Sequence, residues 1–276
     1  MADIGKFNTL PVIALSANGA YLDGDELGEI LLPNRYTSPD LQPETLVDVF
    51  LYVDSLDRLV ATTEKPYGQA GEFVSLECVA TNKLGAFLNW GLPKDLLVPH
   101  NNQHKAMEVG KRYLVYIYVD QRTERLVASS KLDKYLDVWP ADYKNGEEVS
   151  LTIGSRTDLG FKAIVNNKHW GLIYKTEVHQ QLRTGQKMKG YIKKMREDGR
   201  IDLQLARSGK GKVNDFSQIL LDYLANNKGY CPLHDKSSPD EISEVFGVSK
   251  KAFKQTIGHL MKQGKVVIEP NGVRLK

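Results

Sequence analysis

Aromatic and cationic side chains recur together along this chain, and stacking combined with ion pairing is the chemistry they offer most plainly. Phe161, Lys162, Trp170, Tyr174 and Lys175 fall in one short stretch, and Phe87 and Trp90 form an earlier pair. An exposed ring gives any nucleobase a face to stack on, worth about 1–3 kcal/mol per base. Cations beside the rings hold the phosphates. The alternative for each ring is that it fills a small core or a contact between domains. A second group, Lys187, Lys189, Lys193, Lys194, Arg196 and Arg200, crowds one predicted hairpin. Such contacts reach phosphate oxygens and add affinity without sequence information. Near the end, Lys250, Lys251, Lys254 and Gln255 sit off the apolar face of a predicted helix. With no Arg or Asn placed there for base edges, phosphate contact is expected ahead of base readout. A protein-packing role for that unit is the competing reading.

Catalytic chemistry finds little support. Cys231-Pro232-Leu233-His234 offers a thiol and an imidazole, but no third group to orient them. His100, His104, His169, His179, His234 and His259 lack the spacing of metal ligands. No Walker-type or dinucleotide glycine loop occurs. The expectation is a protein that is not an enzyme, with no metal and no cofactor. Cys78 and Cys231 are far apart, as reduced thiols of a cytoplasmic protein would be. No apolar run approaches the ~18 residues that span a bilayer, so no membrane partner is expected. The start, Met1-Ala2-Asp3-Ile4-Gly5-Lys6, lacks the pattern of an export signal.

The elements that must position these side chains repeat three times. Gly85-Ala86-Phe87-Leu88, Leu97-Val98-Pro99, the run Tyr113 to Asp120 and Arg125-Leu126-Val127-Ala128-Ser129 form the clearest copy. Gly19-Ala20-Tyr21-Leu22 and Gly160-Phe161-Lys162-Ala163 open the other two. The glycine and the third residue of the apolar triplet keep one separation, from 19 to 33, 85 to 99 and 160 to 174. Fixed offsets at a period of roughly 65 to 75 indicate repeated small domains, because solenoid units are usually shorter, about 20 to 50 residues. Five short strands with a glycine after the first fit a closed Greek-key barrel. In the strand Leu46 to Val53, alternation puts Val47, Val49, Leu51 and Val53 on the core face and turns Asp48 and Tyr52 outward. Leu132 to Asp142, including Trp139-Pro140, reads as a linker, and Ser208-Gly209-Lys210-Gly211-Lys212 as a flexible basic one.

Beyond it the apolar period becomes helical, through Phe216, Ile219, Leu220, Tyr223 and Leu224. Ser238 and Pro239 start a second helix that stops at Gly247, and Ser249 caps a third carrying Phe253, Ile257, Leu260 and Met261. Two short strands then flank Pro270-Asn271-Gly272. This order is a winged helix-turn-helix. The predicted fold class is therefore mainly β with a C-terminal α+β unit. It comprises three tandem S1/OB-like five-stranded barrels (1–65, 66–135 and 144–207) and a winged helix-turn-helix (213–276).

The third repeat resembles the S1 RNA-binding domain, an OB-type barrel. The match rests on Gly146-Glu147-Glu148-Val149, Gly160-Phe161-Lys162, Gly171 to Val178, Gly185 to Gly190, and Arg200 to Leu205. The first two repeats look like diverged S1 domains by the same landmarks. Three such barrels followed by a winged helix resemble the bacterial CvfB/YitL family over nearly the whole chain. The resemblance implies a cytosolic RNA-binding protein with a regulatory role. It also implies two positions facing the nucleic acid: an aromatic two residues after the glycine, and an aromatic or His ending the triplet. Tyr21 and Phe87 match the first and Tyr174 the second, whereas Pro33, Pro99 and Lys162 depart from the pattern.

Charge divides the chain. Residues 1–65 carry −7, 66–143 are neutral, and 144–206 and 207–276 carry +5 each. A polyanion is expected on the basic half, and a protein partner or packing role on the acidic first barrel. RNA, single-stranded or structured, is the expected ligand. A duplex-DNA-binding transcription regulator and a protein-interaction scaffold are the alternatives.

Overall fold

The computed structural model describes residues 2–137, 141–178, 180–206 and 210–276. Trp139, Pro140, His179, Ser208 and Gly209, which figure in the sequence reading, lie outside them. Strands β1 (Phe7–Ser16), β2 (Gly19–Asp23), β3 (Glu29–Pro33), β4 (Leu46–Val53) and β5 (Leu59–Thr62) close the first barrel. The second holds β6 (Phe73–Thr81), β7 (Gly85–Asn89), β8 (Leu96–Pro99), β9 (Arg112–Val119) and β10 (Leu126–Ser129). The third holds β11 (Glu148–Arg156), β12 (Gly160–Val165), β13 (His169–Tyr174), β14 (Lys187–Met195) and β15 (Ile201–Gln204). All three share one cyclic order, first-second-third-fifth-fourth.

The closure has a local cause. The N-terminal half of β1 pairs with β4 and its C-terminal half with β2. β6 divides its pairing between β9 and β7 in the same way. The register slips between Val12 and Ala14, Cys78 and Ala80, and Ile153 and Arg156. A bulge at that place bends and twists the strand, letting one strand serve two neighbours.

The repeated glycine is equally physical. Gly19, Gly85 and Gly160 pair with Pro33, Pro99 and Tyr174, and have φ of 145°, 156° and 157°. A Cβ at each would run into the carbonyl of Leu32, Val98 or Ile173. Each third strand then leads into a short 3-10 turn, at Asn34–Tyr36, His100–Asn102 and Lys175–Glu177.

The chain forms two compact units, Met1–Asp142 with Ser150–Met188, and Tyr143–Val149 with Lys189–Lys276. Within the first unit the first two barrels share a core. Phe50, Tyr52 and Val60 pack with Leu76, Leu88, Trp90 and Ile117 of the second barrel. Phe50 meets Trp90 edge to face at 5.7 Å. Tyr52, read as facing away from the core, is only 5% exposed, because its outward face is that contact. Barrels of about 60 residues have marginal cores, and joint burial adds to both.

Leu132 to Leu136 is not a free linker. Leu132–Tyr135 makes a 3-10 turn, and Leu136 is buried with Phe73, Leu114 and Ile164. Tyr135 stacks on Tyr116 at 4.1 Å. Leu132, Tyr135 and Leu136 have partners on two barrels, which the short length of the segment hid.

The winged helix contains α1 (Lys210–Asn226), β16 (Tyr230–Cys231), α2 (Pro239–Phe246), α3 (Lys250–Lys262), β17 (Val266–Glu269) and β18 (Gly272–Leu275). The chain is helical from Lys210, so Lys210 to Lys212 are not the flexible linker expected. Gly211 costs about 1 kcal/mol there, which the core face of Phe216, Leu220 and Leu224 overrides. Ser238 and Glu241 form a reciprocal capping box at α2, and Gly247 ends it at φ 65°. Ser249 caps α3 through Ala252 N–H. Strand β16, too short for a periodic signal, joins β18 as the third strand of the sheet.

Candidate nucleic-acid interface

On β12 and β13, alternation separates two faces. Lys162 pairs with Leu172, and Ile164 with Trp170, while Gly160 pairs with Tyr174. Lys162, Leu172 and Tyr174 are half-buried between the buried Ala163, Gly171 and Ile173. They share the outward face, continued by exposed Lys175. Tyr21 opposite Leu31 and Phe87 opposite Leu97 hold the same outward register in the other barrels. Phe161 instead takes the register of the fully buried Ala20 and Ala86, and lies half-exposed on the opposite face from Lys162. It is adjacent in sequence and not in facing.

Two predicted stacking residues are structural. Trp90 is 2% exposed, and its indole N–H donates to the Lys94 carbonyl at 2.6 Å. It has no free face, because the first barrel covers it. Trp170 donates its indole N–H to Asp133 at 2.7 Å and its backbone N–H to Asp137 at 3.1 Å. The Lys162 ammonium lies 4.3 Å above its ring, and the ring packs on the cluster of Phe73, Leu114, Leu136 and Ile164. Trp170 therefore fastens the segment after the second barrel onto the third. Phe87 is half-buried and lines a cleft of about 310 Å³ with Leu84, Lys94 and Arg125 at the contact between the first two barrels. Lys94 donates to the carbonyls of Val53 at 3.0 Å and Asp54 at 2.7 Å. Burial, with the Arg125 charge nearby, lowers its pKa.

The cations of the β14–β15 hairpin are largely matched by carboxylates. Lys187 reaches Glu72 at 3.5 Å, Lys189 reaches Glu148 at 2.8 Å, Arg196 reaches Asp202 at 3.0 Å and Arg200 reaches Asp198 at 3.6 Å. Lys193 and Lys194 are exposed. Lys187 thus belongs with the second barrel and not with the hairpin tip. On α3, Lys250 donates to the Lys236 carbonyl at 3.3 Å, while Lys251, Lys254 and Gln255 are exposed. Tyr67, Arg112 and Arg183, which gather beside Lys187, carry no linear signal and were missed.

The sulfur and imidazole groups are not set for chemistry. Cys231 is fully buried, and burial pushes its thiol up, opposite to what a nucleophile needs. His234 Nδ1 accepts from the Lys236 N–H at 3.1 Å. Among the described residues no group of three His, Cys, Asp or Glu could hold a metal ion. No described helix is long and apolar enough to cross a membrane.

Three five-stranded barrels of S1 type and a winged helix define a modular protein built from nucleic-acid-binding domain classes, not from enzyme folds. An S1 domain model matches residues 4–64 and 70–131, and a CvfB-like winged helix domain model matches residues 218–275. The chain is 30% identical over 274 residues to uncharacterized protein YitL of Bacillus subtilis, covering 96% of this chain and 91% of that protein. It is 25% identical over 281 residues to conserved virulence factor B of Staphylococcus epidermidis, covering 99% and 94%. A solved multidomain protein with nucleic acid binding domains from Streptococcus pneumoniae aligns with 99% of this chain and 98% of its own, at 23% identity and a TM-score of 0.40. The chain belongs to the CvfB/YitL family.

Proposed function

We propose that this is a non-enzymatic, cytoplasmic RNA-binding protein that regulates expression after transcription. It grips RNA with the basic third barrel and the winged helix. One observation carries the reading: Lys162, Leu172 and Tyr174 share an outward face, Lys175 follows, and neither β12 nor β13 contains a carboxylate. A half-exposed ring followed by an exposed cation, on strands without carboxylates, suits a single strand, whose bases stack and whose phosphates need positive charge. The net charge of +5 on each of 144–206 and 207–276 supports the same side of the chain.

The test is a titration of the full chain with single-stranded RNA, duplex RNA and duplex DNA at several salt concentrations. Single-stranded RNA is expected to bind best, with log affinity falling by about 0.7 per contacted phosphate against log salt. Tyr174→Ala is expected to weaken binding about 5- to 100-fold, as the loss of one stacked base would. The exposed Lys251, Lys254 and Gln255 of α3 support a second reading, in which the winged helix contacts duplex DNA. Preference for duplex DNA, abolished by Lys251→Glu with Lys254→Glu, would replace the RNA reading. Failure to bind any naked nucleic acid at low salt, together with a fixed co-purifying protein, would make the chain a scaffold.

A further inference from the structure

Between the second and third barrels, within the first compact unit, lies a cleft of about 680 Å³. Its volume is in the range of ligand sites, about 300–1,000 Å³. Arg112 comes from β9, and Arg183 and Lys187 from the segment entering and starting β14. Gly185, at φ 82°, holds that segment against Ser75, where a Cβ would collide with the serine side chain. Three cations from two distant parts of the chain thus line one cleft, and no carboxylate among the described residues lines it.

The cations are held without being used up. Arg112 donates to the Ser75 carbonyl at 2.5 Å and reaches Glu77 only at 3.9 Å. Lys187 lies 3.5 Å from Glu72. Arg112–Glu77 is exposed and Lys187–Glu72 half-exposed, and surface pairs at such distances are weak, so an entering phosphate competes with them. Arg183 makes no ion pair among the described residues and is exposed. Tyr67 stands at the rim, 60% exposed. Its ring lies along Gly91, where a Cβ would sit 3.3 Å from it. The glycine supports one side of the ring and leaves the rest to solvent.

We propose that this cleft is a second RNA site, separate from the outward face of β12 and β13. In it a single-stranded nucleotide stacks its base on Tyr67 and sets its flanking phosphates on Arg112, Arg183 and Lys187. The proposal rests on the RNA-binding reading above and adds to it where the strand runs. A strand held there lies across the junction of two barrels, so the fixed packing of those barrels becomes part of recognition.

The experiment is fluorescence anisotropy of labelled oligouridylate and oligoadenylate with the full chain over a salt series. The variants are Tyr67→Ala, the triple variant Arg112→Gln/Arg183→Gln/Lys187→Gln, and Tyr174→Ala as the marker of the other face. Thermal unfolding checks that each variant is folded. Tyr67→Ala is expected to lose about 5- to 100-fold in affinity. The triple variant is expected to lower the log–log salt slope by about 2, from three contacts at ~0.7 each. If the parent chain binds and Tyr174→Ala weakens it, while the Tyr67 and triple variants match the parent in affinity and slope, the cleft proposal is overturned and the RNA reading stands. If the parent chain binds neither oligonucleotide, both fall. Photo-cross-linking of 4-thiouridine RNA to the peptide containing Tyr67 would support the site independently.

Discussion

Of Trp90 and Tyr174, one is packed in a core and the other is proposed for recognition. Both are aromatics just beyond or at the end of a barrel strand. Trp90 meets Phe50 and turns its indole N–H to the Lys94 carbonyl, whereas Tyr174 remains half-exposed beside Lys175. Trp90→Ala is therefore expected to cost about 3–5 kcal/mol of stability, read by urea denaturation, with RNA affinity of the folded protein unchanged. Tyr174→Ala should show the reverse. Thr256 is a different case. It is fully buried on α3, and its hydroxyl has no hydrogen-bond partner among the described residues. Thr256→Val keeps the shape and removes an unsatisfied polar group, so α3 should gain on the order of 1 kcal/mol. Hydrogen exchange of the α3 amides measures it; slower protection loss in the parent than in the variant would contradict the assignment.

At the scale of elements, the barrels depend on what fastens them together. The turn Leu132–Tyr135 is clamped by Tyr116 and Tyr118 on β9; it presents Asp133 to Trp170, and Asp137 just after it accepts from the Trp170 backbone N–H. Burial of the Tyr135 phenol, reinforced by Tyr118 beside it, pushes its pKa up to about 12. In the unfolded chain a tyrosine ionises near 10. The folded clamp keeps its proton where the unfolded chain has lost it. Its stabilisation is therefore complete below about pH 10 and disappears as pH rises towards 12. Alkaline unfolding should begin at this junction, and Tyr135→Phe should remove that part of the pH dependence. Intrinsic tryptophan fluorescence follows the transition, since Trp170 sits in the clamp. An identical alkaline profile in the variant would place the titrating group elsewhere.

For the whole molecule, charge and packing act in different places. The first barrel carries −7 over residues 1–65, yet Phe50, Tyr52 and Val60 join it to the core of the second. On the proposed reading it supports its neighbour, and its negative charge opposes phosphate. Neutralising its exposed carboxylates Asp25, Glu26 and Glu29 to the amides should leave RNA binding intact and tighten it at low salt. The gain should vanish once salt screens the charges, with a Debye length near 10 Å at about 0.1 M. Anisotropy at low and high salt reads this directly. Weaker binding by the amide variant would mean that the acidic barrel takes part in recognition.

The repeat, the five-stranded barrels and the winged helix were legible in the linear chain because each rests on local chemistry. Gly19, Gly85 and Gly160 are required where two backbones come too close for a Cβ, and Ser238, Gly247 and Ser249 mark helix ends through hydrogen bonds to near neighbours. The outward positions of Phe87 and Tyr174 were legible through the resemblance to S1 domains, which turns the residue two after the glycine and the one ending the triplet outward. What the chain could not express locally is which outward residues another domain covers. Nothing in the types or spacing of Trp90, Tyr52, Trp170 and Lys187 marks them off from free surface groups; only long-range packing buried Trp90 and Tyr52, half-covered Trp170 and set Lys187 beside Glu72. The cleft of Tyr67, Arg112 and Arg183 likewise exists only in the tertiary structure. Alternation determines which way a side chain points, while long-range contact determines what it meets there.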